Sequence, residues 1–170
     1  RETDSKAERG VMTMKKGTTV IDLTTLVEHW GSGYPSPFEE PCMARSKVAL
    51  DDAGGLTQYG VNLVTLHPGA WASQRHWHSH EDEFVYVLSG ELTLITDDGE
   101  TLLTAGMATT SIAGVADGHH MINRSEASAT YLEIGSRAPE DVCSYPDIDL
   151  HLEPDSAGGH RFVKKSGELY

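Results

Sequence analysis

The sequence predicts an all-β protein whose strands close into a barrel or a sandwich. Three observations carry this. Between Ala44 and Ile134, short apolar, β-branched runs alternate with turn signals at intervals of about 8–12 residues, the spacing of an all-β domain. The run "EFVYVL" carries apolar side chains on both faces, which predicts burial on both sides and suits a closed structure better than a one-sided sheet. Asp97-Asp98-Gly99 interrupts two apolar runs with the chemistry of a hairpin turn.

Taken in order, residues 1–17 are charged and poor in apolar side chains and are expected to form a flexible tail. Residues 18–170 are read as one domain, with a barrel core over about 44–135 and a C-terminal arm over 136–170. "TTVIDLTTLVEHW" fits a strand or a helical turn, and "GSGYPSPFEEP", with three prolines and two glycines, is irregular. "YGVNLVTLHPG" is a strand closed by Pro-Gly. "EFVYVLSGELTLITDDGETLLTAG" reads as strand, glycine turn, strand, hairpin, strand. "HHMIN" and "ATYLEIG" supply two further strands. The arm mixes proline, glycine and charge and is expected to lie over the barrel or reach a partner subunit.

The composition narrows the function classes. A chain of 170 residues with 38% hydrophobic content can bury a core without staples. No apolar run approaches the roughly 20 residues of a membrane helix, so no membrane partner is expected. A net charge of −13 repels a phosphate backbone, which argues against nucleic acid, and against strongly anionic ligands unless a local basic pocket receives them. The first residues, RETDSKAERG, lack the apolar stretch of a secretory leader, so a cytoplasmic location is expected. Cys42 and Cys143 show no CxxC spacing and are read as reduced thiols.

Chemistry concentrates in the histidines. Five of the nine lie in "QRHWHSHEDEFVYVLSG" and "ADGHHMINRS". Residues two apart on a strand share a face, so His76 and His78 project together. Glu83 has the opposite parity to His78. The polar "SHED" between them must therefore turn the chain for Glu83 to open the next strand toward the same interior. His119 and Asn123 are four apart and share a face; His120 is the alternative to His119. Neutral imidazoles with one carboxylate suit a divalent Fe, Mn, Zn, Ni, Co or Cu ion. The ion would also offset the cost of a charged Glu83 inside an apolar barrel.

The spacing resembles the two motifs of the cupin family. Gly69, His76, His78, Glu83 and Gly90 resemble the first, with four residues between His78 and Glu83 and six between Glu83 and Gly90. Gly106, Gly114, His119 and Asn123 resemble the second. The sequence departs from the pattern in its turns. Ile112 stands where proline is usual, Met107 where an acidic residue is common, and Gly114 and His119 are four residues apart rather than two. One extra residue separates Gly69 from His76. The resemblance covers roughly residues 44–135. It implies a double-stranded β-helix, the jelly-roll barrel, with N- and C-terminal extensions. It also implies a homodimer and one metal ion on His76, His78, Glu83 and His119.

Four more residues are candidate contacts for a small-molecule ligand. Gln74 shares the face of His76 and either binds substrate or fills polar space beside the metal. Arg45 and Lys47, two apart on an early strand, would clamp a substrate carboxylate if they face the pocket. Tyr86, with Trp71 and Trp77, either lines the pocket or belongs to the core. Asn123 reads as a turn or strand-end hydrogen-bonder rather than a ligand. Two functions fit: a metal-dependent enzyme of oxygenase, isomerase or lyase type, or a non-catalytic binding module with a structural metal. A second ionisable group near the metal would favour the enzyme.

Overall fold

Two antiparallel layers face each other across an apolar core in the computed structural model, which describes residues 17–170. The tail expected over residues 1–17 lies, but for Gly17, outside the described residues. The strands are β1 (His29–Trp30), β2 (Arg45–Ala49), β3 (Tyr59–Leu66), β4 (Trp77–His78), β5 (Glu83–Ser89), β6 (Glu91–Thr96), β7 (Gly99–Thr104), β8 (Ala108–Ser111), β9 (His120–Ile122), β10 (Ala129–Ser136), β11 (Cys143–Tyr145), β12 (Leu150–Pro154) and β13 (His160–Val163). A short helix α1 (Leu50–Gly54) follows β2. The early apolar segment makes a 3-10 turn at Leu23–Thr25, with the Asp22 carboxylate accepting from the Thr24 N–H.

The first layer is a six-stranded sheet ordered β1-β2-β3-β10-β5-β8. The second combines β7-β6-β9 with β13-β12-β11-β4. The segment before β4 stitches these two groups together: Trp71 bridges Ile122, His76 bridges His119, and the Ala72 N–H donates to the Met121 carbonyl at 2.8 Å. The result is the jelly-roll barrel.

Alternation places the core. Val64, Leu66, Val85, Val87, Ala129 and Tyr131 point inward from the first layer and meet Leu92, Leu103 and Met121 from the second. Each fully buried aliphatic side chain contributes roughly 1.5–3 kcal/mol. The turn signals hold: β6 and β7 form a hairpin over Asp97-Asp98, with Thr96 opposite Gly99. Between β5 and β6, Gly90 has φ +76° and passes so close to β10 that a Cβ would sit 2.7 Å from the Ala129 Cα.

"EFVYVL" differs from expectation. Val85 and Val87 are buried, but Phe84, Tyr86 and Leu88 are 38%, 38% and 45% exposed. The strand lies in an outer layer, so only its inward parity meets the core, and no described element covers the other face. Residues 136–170 do not lie across the barrel. Strands β11–β13 join it edge to edge, with Cys143 opposite His78 and Ser144 opposite Trp77, and so widen the second layer. Cys42 and Cys143 are both buried and unpaired.

Candidate metal centre

Each of the four candidate ligands reaches the barrel interior by a different local route. His76 precedes β4 and is held to the second layer by its bridge with His119. His78 is in β4. The chain then bends through Ser79–Asp82, and Glu83 opens β5 on the opposite layer, the turn that strand parity demands. His119 stands just before β9. Of the two adjacent histidines, His119 faces Glu83. His120 packs edge-on against Trp71 at 4.7 Å and bonds the Ser73 carbonyl through Nδ1 at 3.0 Å.

The nitrogens converge on the carboxylate. His119 Nε2 lies 2.7 Å from Glu83 Oε2, His76 Nε2 lies 3.8 Å from the same oxygen, and His78 Nε2 lies 3.8 Å from Oε1. The other nitrogen of each ring is engaged behind it. His76 Nδ1 meets the Gln74 carbonyl at 2.8 Å, His119 Nδ1 the Asp117 carbonyl at 3.2 Å, and His78 Nδ1 the Asp141 carboxylate at 2.6 Å. Those partners only accept, so each Nδ1 carries a proton and each Nε2 is turned toward the carboxylate; at 2.7 Å, His119 Nε2 shares a proton with Glu83, one that a metal ion would displace. Ligand atoms of His76, Glu83 and His119 lie within 4.8 Å of one another, and His78 Nε2 stands 3.8 Å from the other Glu83 oxygen. The donor set therefore fits a divalent transition metal.

Charge supports the same reading. Burial holds His76 neutral, with its pKa down at about 4. Burial alone would raise Glu83, but the His119 hydrogen bond and the neighbouring imidazoles outweigh it and hold the carboxyl at about 2. Burial opposes charge on His119 too, and the Glu83 carboxylate overrides it, raising its pKa. The Cys143 sulfur lies within 4.8 Å of the His76 and His78 ring nitrogens, but burial pushes its thiol up, so it is protonated.

Several cavities open on these residues. One, of about 150 Å³, is bounded by Trp77, His78, Glu83, Thr109, Ser111 and His119. Another, of about 410 Å³, reaches His76, His78 and Glu83 and is lined by Arg45, Lys47, Glu133 and Tyr145. Arg45 and Lys47 thus face the same interior as the histidines. The Arg45 Nε is buried without a hydrogen-bond partner among the described residues.

The two other candidate contacts lie elsewhere. Tyr86 points outward because it sits three residues from Glu83, on the opposite parity. Gln74 is buried; its side-chain NH₂ donates to the Phe38 carbonyl at 2.7 Å and anchors the loop, and its backbone carbonyl accepts from His76 Nδ1. Asn123 is fully buried and bonds the Leu66 and Ala127 carbonyls, each at 2.8 Å.

Two residues escaped the sequence reading. Glu133 alternates inward with Tyr131 on β10, accepts from Asn62 Nδ2 at 3.1 Å and lies 3.9 Å from Arg45. A carboxylate on the inward parity of "ATYLEIG" was its signal. Asp141 sits in a loop, where no periodicity marks a side chain's direction.

This barrel, with three histidines on one layer facing a glutamate on the other, defines a cupin. The family described as "Cupin domain" matches residues 62–135. A sugar phosphate isomerase from the cupin superfamily of Silicibacter pomeroyi is 40% identical over 89% of this chain and 96% of its own, with a TM-score of 0.84. The chain therefore belongs to the cupin superfamily. A candidate sugar phosphate isomerase from Acidithiobacillus ferrooxidans is 29% identical over 74% of this chain and 80% of its own, with a TM-score of 0.65. The polyketide cyclase RemF from Streptomyces resistomycificus, 16% identical over 69% of this chain and 78% of its own, with a TM-score of 0.56, shares the fold alone. A search of curated proteins finds no match. No helix among the described residues is long and apolar enough to cross a membrane.

Proposed function

We propose that this cupin is a divalent-metal-dependent isomerase acting on a small anionic sugar derivative, of the sugar phosphate class named for its relative. The observation that carries this is the cavity in which Arg45, Lys47 and Glu133 face His76, His78 and Glu83. In a chain of net charge −13, Arg45 and Lys47 put two inward cations beside the candidate ligands, local positive charge that can receive an anionic group.

His76, His78, Glu83 and His119 would hold the ion. A bound divalent ion supplies Lewis acidity toward a substrate carbonyl. Arg45 and Lys47 hold the anionic end. Glu133 moves the proton: its carboxylate takes it from the carbon beside the carbonyl and returns it to the former carbonyl carbon, while a hydroxyl proton crosses between the two oxygens. Atoms and charge balance without a redox partner. The inward carboxylate is what favours an enzyme over a binding module.

The test is elemental analysis of the purified protein, native and with His76→Ala and His119→Ala, followed by proton-exchange and interconversion assays on aldose and ketose phosphates. Stoichiometric metal in the native protein and its loss from both variants is expected. Metal retained in both would remove the proposed centre. Metal with no turnover or exchange on any sugar phosphate would leave the binding-module reading.

The exposed row Phe84, Tyr86 and Leu88 supports a homodimer in which a second copy covers this face. Light scattering of the native protein and of Phe84→Glu checks it; a native monomer rejects it. Two unpaired buried thiols support a cytoplasmic location.

A further inference from the structure

The loop between β10 and β11 lies beyond the residues matched to the family, yet it reaches the back of the candidate metal centre. Its anchor is Asp141, 3% exposed. The two carboxylate oxygens have different duties. Oδ2 lies 2.6 Å from His78 Nδ1. Oδ1 accepts the His80 backbone N–H at 2.8 Å and the Ser79 hydroxyl at 3.1 Å.

The loop has little freedom to shift. The Asp141 N–H donates to the Ala138 carbonyl at 3.0 Å, and the Ala138 N–H donates to Glu81 Oε1 at 2.8 Å. Ser79 and Val142 are tied twice: the Ser79 N–H donates to the Val142 carbonyl at 3.0 Å, and the Val142 N–H to Ser79 Oγ at 2.7 Å. The Asp141 carboxylate is thus presented to His78 by backbone bonds on both sides.

An ionised carboxylate can only accept. With Asp141 behind it, His78 must carry its proton on Nδ1 and direct the Nε2 lone pair toward Glu83. We propose that Asp141 is the positioning residue of the metal centre, selecting the His78 tautomer that can ligate and aiming its ring. This rests on the metal reading of the site, but the tautomer itself is readable in metal-free protein.

Asp141→Asn separates this role from loop support. The His80 N–H requires an acceptor, so the amide oxygen takes the Oδ1 place and the NH₂ faces His78. Nδ1 then becomes the acceptor and the proton moves to Nε2, where it blocks ligation. Nitrogen-15 NMR of the metal-free native protein is expected to show His78 protonated at Nδ1, and the Asn variant at Nε2. Cobalt(II) titration is expected to weaken by about 10–100-fold in Asp141→Asn. Asp141→Ala, which leaves the ring free to choose its tautomer, is expected to lose less cobalt affinity while losing at least as much thermal stability.

An Nε2-protonated His78 in the native protein overturns the inference, as does Asp141→Asn with native tautomer and native affinity. So does a cobalt loss in Asp141→Ala as large as in Asp141→Asn, which marks loop support alone. A native protein that binds no cobalt defeats the metal reading of the site, and this role with it. It is told apart from failure of the inference alone, in which the native protein and the Asn variant bind equally.

Discussion

The His119 imidazole and the Glu83 carboxylate meet at 2.7 Å from opposite layers of the barrel, 36 residues apart in the chain. The contact brings a base and an acid together where burial opposes charge on both, and each stabilises the charged form of the other.

That relationship sets a pH dependence. The His119 pKa is raised above 6.5, so the metal-free protein holds a proton there below that raised value. A metal ion must displace it. Apparent affinity is expected to fall by about tenfold per pH unit on acidification below the His119 pKa, from this proton alone. His76, held down at about 4, adds no competing proton until the pH approaches that value. Calorimetric titration with cobalt(II) or zinc in buffers of different ionisation enthalpy measures the proton release directly. An affinity flat between about pH 5 and pH 7 would contradict it.

Lys47 should separate substrate binding from metal binding. It lines the cavity with the candidate ligands but is not one of them. Lys47→Met is expected to keep the native metal content while raising KM for a sugar phosphate by roughly 10- to 100-fold, the loss of one charge-assisted hydrogen bond. Equal KM in variant and native enzyme would place the anionic group elsewhere.

Asn123 is a structural prediction. Its side chain donates to two carbonyls and its Oδ1 accepts the Ser125 N–H at 3.0 Å and the Ser125 hydroxyl at 2.8 Å. Asn123→Ala leaves the buried Leu66 carbonyl without its donor and the half-buried Ser125 without its acceptor, and is expected to cost about 2–4 kcal/mol in urea unfolding. A loss below about 1 kcal/mol would mean that the turn re-forms its bonds without the side chain.

Gly90→Ala tests the close approach of β5 and β10. The added Cβ meets the Ala129 Cα at 2.7 Å and the Ser128 carbonyl oxygen at 2.8 Å, and the backbone has positive φ. Both effects oppose the substitution, so a loss of at least about 2 kcal/mol is expected by thermal or chemical denaturation. Native stability in the variant would show that the turn relaxes freely.

Some features were legible from local periodicity alone. A strand's side chains alternate with period two, so His76 and His78 had to project together, Glu83 had to begin a new strand, and Val85 and Val87 had to share its face. The Asp97-Asp98-Gly99 hairpin and the strand-end role of Asn123 follow from equally local chemistry. The same parity would have turned Tyr86 outward. It went unused because an apolar strand reads as buried on both faces until the second covering layer is seen to be missing.

What the chain by itself determined, then, was an all-β barrel with histidines and a glutamate on its inward positions. Only the tertiary structure decided how these meet: that His119 rather than His120 reaches Glu83, that Gln74 is tied to Phe38, that Glu133 enters the cavity beside Arg45, and that a loop from beyond the barrel brings Asp141 behind His78. The reason is physical. Side-chain direction along a strand is set by neighbouring residues, whereas register between layers and the path of a loop are set by contacts distant in sequence.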